Sequence, residues 1–216
     1  MAWLHDWPKM RDVLDKERVD MIFRGYSGLC LESYLGRLDG DIYIKDWHLN
    51  RKDALATVDS QGNINLNVSA DADMYSWAYA IGHCLLHLAF GHFDRQNMPD
   101  AGNGINIRVW NKACDICVDR VLAEMELGLS LHPDIEETYG TQLTDEKAIY
   151  EQLLKLGDDG SGQEYGTNID GEMDMIGLEH PLEYGEGESN RFTETYVREK
   201  EREKERIKRR RETIGR

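Results

Sequence analysis

The spacing of apolar residues changes along this chain, and the changes mark out its elements. From Pro8 to about Arg24, Met10, Val13, Leu14, Val19 and Met21 to Phe23 recur at helical intervals, and a second short helix is expected from Ser27 to Leu38. The period then shortens. Asp41 to Lys45 alternates, Ala54 to Val58 is a short apolar run, and Ile64, Leu66 and Val68 alternate with Asn63, Asn65 and Asn67. These patterns predict three strands. The Asp59-Ser60-Gln61-Gly62 cluster predicts a hairpin turn between the last two, with Gly62 able to take a positive φ.

After Ser69, expected as the N-cap, with Asp71 and Asp73 in the first turn, a long helix is predicted to about Phe90. Met74, Trp77, Ile81, Leu85 and Leu88 form one apolar stripe, and Ala80, Leu86 and Ala89 make the other side apolar too. A helix apolar on both sides belongs in the centre of a domain. A loop with Pro99, Gly102 and Gly104 leads to a helix from about Ile107 to Met125, and Thr144 is expected to cap another through Leu156. The expected fold class is therefore α+β, mostly helical, with a small, partly antiparallel sheet over residues 41–68 packed on the central helix.

Composition divides the rest. The 216 residues carry a net charge of −15, but residues 198–216 hold ten Lys and Arg against five Glu. That tail is +5, so residues 1–197 stand at −20. A generic phosphate-binding surface is thereby disfavoured outside the tail. Residues 157–190 hold eight glycines and ten carboxylates with no Lys or Arg, which reads as a flexible acidic linker. The expected organisation is a domain over 1–156, a linker over 157–190 and a charged, basic-ended helix over 191–216. No apolar run reaches the roughly 18 residues of a spanning helix. The N-terminal residues lack the basic start and apolar core of a secretion signal, and a cytoplasmic protein is expected. Cys30, Cys84, Cys114 and Cys117 are too few for a disulfide scaffold; Cys114 and Cys117 fall on the apolar side of their helix and read as core.

The candidate chemistry lies in His83-Cys84-Leu85-Leu86-His87-Leu88-Ala89-Phe90-Gly91-His92 on the central helix. Residues four apart share a helical face, so His83 and His87 can direct two imidazoles at one metal ion. Gly91 lets the chain leave the helix in a left-handed turn and could swing His92 back as a third ligand. Three His and an open position describe a catalytic Zn²⁺ site. On the next helix Asn111, Asp115 and Asp119 recur at i, i+4 and i+8. Asp115 could orient a ligand His through its second nitrogen, or coordinate the ion itself if His92 does not; the alternative is a solvated face.

These residues resemble a bacterial metallopeptidase-like domain that precedes a von Willebrand A-like domain and carries an HExLHxxxGH motif on a long helix. The resemblance runs through Val58-Asp59-Ser60-Gln61-Gly62, Ile64-Asn65-Leu66-Asn67, the histidine motif, Trp110-Asn111-Lys112-Ala113-Cys114-Asp115, Tyr139-Gly140-Thr141 and Asp145-Glu146-Lys147-Ala148-Ile149-Tyr150-Glu151-Gln152-Leu153. It covers about residues 50–156. It implies a zincin-like fold, one Zn²⁺, water-mediated hydrolysis of a peptide or protein substrate, and an AAA-type ATPase of the MoxR kind as partner. It also implies that an edge strand such as Ile64 to Val68 pairs with an extended substrate.

Cys84 breaks the pattern, because the family has Glu there. That carboxylate takes the proton of the metal-bound water; a thiol has one proton site and no second oxygen to bridge water and substrate. Loss of such a base costs about 10²–10⁴ in rate. The sequence therefore points to a zinc-binding, metallopeptidase-like protein impaired in hydrolysis, a pseudoenzyme, with Cys84 as a lost base, a metal-activated thiolate or a further ligand. The alternatives are a metal-stabilised interaction module working with the ATPase, and a nucleic-acid-associated protein acting through residues 198–216.

Overall fold

The computed structural model describes residues 3–5, 41–45, 55–67, 70–100, 104–124, 145–161, 167, 173–185, 188 and 190–214. The expected helices over 8–24 and 27–38, and the expected caps Ser69 and Thr144, lie outside them. The described residues form an α+β structure with more helix than strand. Five strands, β1 (Trp3–His5), β2 (Asp41–Lys45), β3 (Ala56–Asp59), β4 (Asn63–Asn67) and β5 (Met175–Ile176), make one mixed sheet in the order β1-β2-β4-β3-β5. The helices are α1 (Met74–Phe90), α2 (Ile107–Glu124), α3 (Glu146–Lys155) and α4 (Arg191–Ile214), with a 3₁₀ turn at Arg95–Asn97. No described helix is long and apolar enough to cross a membrane.

The hairpin forms where the turn residues predict it. Asp59 Oδ1 accepts from the amides of Gln61 and Asn63 at 2.9 and 3.0 Å, and Gly62 takes φ 87°. A Cβ on Gly62 would stand 2.4 Å from Phe192 Cζ, so the glycine also admits the base of α4. The pairing β3–β4 is antiparallel, whereas β1–β2, β2–β4 and β3–β5 are parallel. This corrects the expectation that Ile64 to Val68 supplies an edge: β4 lies between β2 and β3. Alternation within a strand reports its two faces, not its neighbours, so β4's position could not be read from it.

Helix α1 runs under β3 and β4 and touches α2 and α4 as well. Every residue from Trp77 to Ala89 is buried. Asp73, not Ser69, is its N-cap, with the side chain accepting from Ser76 N at 2.8 Å; likewise Asp145, not Thr144, caps α3 by accepting from Ala148 N. In each case several oxygen-bearing residues precede the helix, and any of them has the cap chemistry. Trp77, Trp110, Tyr79, Ile64, Leu66, Ile81 and Leu85 are the largest fully buried side chains. Truncating one of the leucines to Ala there would cost about 2–5 kcal/mol.

Part of the described stretch of residues 157–190 packs against the core. Met175 and Leu178 are buried in the core, Thr167 and Asp174 are buried too, and β5 pairs with β3 through Val58↔Met175 and Asp59↔Ile176. Farther along, Leu182 exchanges backbone hydrogen bonds with Phe93 O and Arg95 N, both at 2.8 Å. Composition averaged over the stretch hid a short apolar patch, Met173, Met175, Ile176 and Leu178, which is enough to anchor it.

Candidate metal centre

Helical spacing places His83 and His87 one turn apart on the face of α1 that meets α2. On α2, Asn111, Asp115 and Asp119 recur every fourth residue and form the facing row, all buried. The strand β5 brings Asp174, immediately before it, to the same point. His83, His87, Asp115 and Asp174 each direct one donor atom into a common space, all within 4.8 Å of one another.

The distances suit a single ion. His83 Nε2 lies 2.7 Å from His87 Nε2, 3.0 Å from Asp174 Oδ2 and 3.4 Å from Asp115 Oδ1. His87 Nε2 lies 3.1 Å from Asp115 Oδ1 and 4.0 Å from Asp174 Oδ2. Metal–ligand bonds of about 2.0–2.2 Å in a tetrahedron would set donors about 3.3–3.6 Å apart, within the observed spread. A cation would compensate these buried acids. Asp115 Oδ1 and Asp174 Oδ1 are buried with no hydrogen-bond partner, and an uncompensated buried carboxylate is costly. Two carboxylates and two neutral imidazoles balance a divalent ion to zero charge.

Each imidazole is oriented through its other nitrogen. His83 Nδ1 donates to Asp119 Oδ1 at 3.1 Å, and the Tyr79 hydroxyl donates to the same oxygen. His87 Nδ1 faces His92 Nδ1 at 2.8 Å, and His92 Nε2 donates to Glu146 Oε1 at 3.2 Å. With Nδ1 of both His83 and His87 holding the proton, both Nε2 atoms present lone pairs to the ion. Asp115 is fixed as well: its Oδ2 accepts from Asn111 Nδ2 at 2.6 Å, while Asn111 Oδ1 accepts from Met175 N at 3.1 Å. One amide thus ties α2 to the segment that carries Asp174.

The electrostatics follow from burial and these neighbours. Burial disfavours a charged His83, but the Asp115, Asp119 and Asp174 carboxylates around it outweigh burial and hold its pKa well above the usual range. Burial, reinforced by Asp174, raises Asp115 to about 8. Asp174 goes the other way, held low by the His83 and His87 imidazoles against its own burial. Burial and then the His83 charge lower His87 to about 3. Burial likewise takes His92 down to about 4, with Glu146 opposing, and Glu146 is itself held at about 2 by His92 despite partial burial.

The sequence candidates thus separate. His83, His87 and Asp115 come together as donors, Asp115 directly rather than through a histidine. His92 is outside the group of four. Gly91 does take the left-handed turn, φ 69° and ψ 39°, but it delivers His92 to the Nδ1 side of His87, away from the converging donors. Cys84 is fully buried in the apolar core and contributes no donor; burial, with Asp174 adding to it, pushes its thiol pKa up. Cys114 is buried in the core, and Cys117 is partly buried. Sequence reasoning missed Asp174, Tyr79 and Glu146. For Asp174 the available signal was the apolar patch around it; for Tyr79 it was a polar group four residues before His83 on the same helical face. Comparisons with protein-family models, with curated proteins and with solved structures find no match to this chain.

Proposed function

We propose that this protein is a Zn²⁺-binding protein of metallopeptidase-like build in which the ion holds α1, α2 and the β5 segment together and peptide hydrolysis is lost or strongly impaired. The observation that carries the reading is the convergence of His83, His87, Asp115 and Asp174, buried on all sides and already four in number. Structural zinc sites are closed with four protein ligands, whereas hydrolytic ones keep a position for water. Imidazole and carboxylate donors in a compact group of four suit Zn²⁺ by charge and geometry. An ion held there supplies a cross-link between elements distant in sequence.

The position that would bear the general base supports the same conclusion. Cys84 carries no carboxylate, and its buried thiol is held in the protonated form, so it neither accepts a proton from water nor acts as a nucleophile. A zincin-like arrangement, with the metal-bearing helix under a small mixed sheet, belongs to this reading and is supported by α1 lying against β3 and β4.

Elemental analysis of the purified chain, paired with a peptidase assay of the native protein and Cys84→Glu, tests it. About one zinc per chain with no turnover by the native protein is the expected result. Absence of a stoichiometric divalent metal overturns the reading, as does native peptidase activity that vanishes on chelation.

A further inference from the structure

A cavity of about 530 Å³ lies on the Nδ1 side of His87, where His92 forms part of its wall. Its volume falls within the roughly 300–1,000 Å³ of small-molecule sites. One wall is aromatic. Phe90, His92 and Trp110 line it, with the His92 ring edge-on to Phe90 at 5.6 Å and to Trp110 at 6.3 Å between centroids. The row is braced at both ends, because Tyr196 packs edge-on against Phe90 at 5.5 Å and Tyr150 against Trp110 at 6.2 Å. Trp110 Nε1 also donates to His92 O at 3.1 Å.

The other wall is the start of α3. Asp145, Glu146 and Glu151 set three carboxylates there against the single ammonium of Lys147, which donates to Gln96 O at 3.2 Å. This combination selects its guest by exclusion. An anion would meet three like charges. A bare metal ion lacks converging donors, since among the described residues those belong to the centre, and neither His92 nor Glu146 is one of them. A neutral apolar guest would strip water from the carboxylates without replacing it. An organic cation satisfies both walls: aromatic rings attract an ammonium that carries an apolar skin, and carboxylates neutralise its charge.

We propose that this cavity binds a small organic ammonium, its methylated headgroup held against the aromatic wall of Phe90, His92 and Trp110, with Glu146 as counter-charge. The site stands apart from the four converging donors and does not depend on the metal reading above. The headgroup belongs either to a free amine or to a methylated lysine side chain, which share this chemistry.

Calorimetric titration of the full chain at low ionic strength tests the assignment with three probes: choline, acetylated and amidated trimethyl-lysine, and neohexyl alcohol, the uncharged carbon isostere of choline. The tighter of the two cations should bind at least about tenfold more tightly than the isostere. Choline as the tighter probe names a free amine as the source, and trimethyl-lysine names a protein side chain. Phe90→Leu keeps apolar bulk but removes the ring, and should weaken the cation at least about threefold while leaving the isostere unchanged. Glu146→Gln should weaken it about fivefold, whereas Lys147→Gln should tighten it about twofold. Opposite signs at adjacent positions are not expected of residues that merely support α3. Equal binding of isostere and cation overturns the proposal, as does a native chain that binds neither cation, or a Lys147→Gln that fails to bind more tightly. If Phe90→Leu does not fold by circular dichroism, Lys147→Gln, at an exposed position, decides.

Discussion

The two histidines of the centre are chemically identical, one helical turn apart, and oriented in different ways. The His83 side is sealed: Asp119 and Tyr79 behind it are buried in the core. Behind His87 the chain of contacts runs through His92 to Glu146, whose side chain is 25% exposed and borders a cavity of about 530 Å³ lined also by Phe90, Trp110 and Lys147. One imidazole therefore leans on a carboxylate inside the protein, the other on a neutral ring that reaches a carboxylate at the surface. Their charge preferences are opposite: the Asp115, Asp119 and Asp174 carboxylates outweigh burial and draw His83 toward the protonated form, whereas burial and the His83 charge lower His87 to about 3. Helical spacing decides which side chains face the candidate centre; burial and the charges around each decide how strongly a proton would compete there for a metal ion.

Four measurements can break or sharpen this contrast. The largest effect belongs to one of the two histidines themselves. His87→Ala should reduce bound metal from one to below about 0.1 per chain and lower Tm by about 8–16 °C, the loss of roughly 4 kcal/mol of binding stabilisation in a chain this size. Retention of stoichiometric metal would remove His87 from the centre. Next, Asp119→Asn should weaken metal binding about 10–100-fold, because the sealed carboxylate that orients His83 has no substitute.

The third is a pH dependence. In the metal-free protein Asp115 keeps its proton up to about pH 8 and His83 is protonated above its ordinary range; metal binding must expel both. Affinity should therefore rise with pH toward 8 by about tenfold per unit for each proton released. Folding also lowers His87 and His92, so the metal-free chain should gain stability as pH rises from about 4 to 6.5, where those two imidazoles are protonated only when unfolded, and lose it from about 6.5 to 8, where Asp115 and His83 hold protons only when folded. Calorimetry at several pH values checks the slope; a slope of zero above about pH 6.5 would mean that neither Asp115 nor His83 holds a proton. The smallest effect is expected at the open end, where Glu146→Gln should cost only about threefold, since an amide oxygen can still accept from His92 and water reaches the site. A loss equal to that of Asp119→Asn would erase the distinction between the two sides.

Periodicity made most of this legible. The buried helix, the hairpin at Gly62 and the pairing of His83 with His87 follow from spacing alone, and the every-fourth-residue row on α2 pointed to Asp115 and Asp119. His92 could not be placed, because a left-handed turn at Gly91 tells where the chain turns but not on which side of His87 the next ring lands. Asp174 was hidden for a different reason: among ten carboxylates between 157 and 190, nothing local distinguishes the one that folds inward. Strand order was equally silent, since the neighbours of β4 are set by segments remote from it in the chain.

Polymer statistics give the centre a further meaning. A bridge between His83 and Asp115 closes a loop of 32 residues, and in the chain-entropy account a cross-link of that span restricts the unfolded ensemble by about 4 kcal/mol. The described cysteines are free thiols. An ion gripped by two helices would do for this chain what a disulfide does for a secreted one, in a form that reductants leave intact and chelators undo.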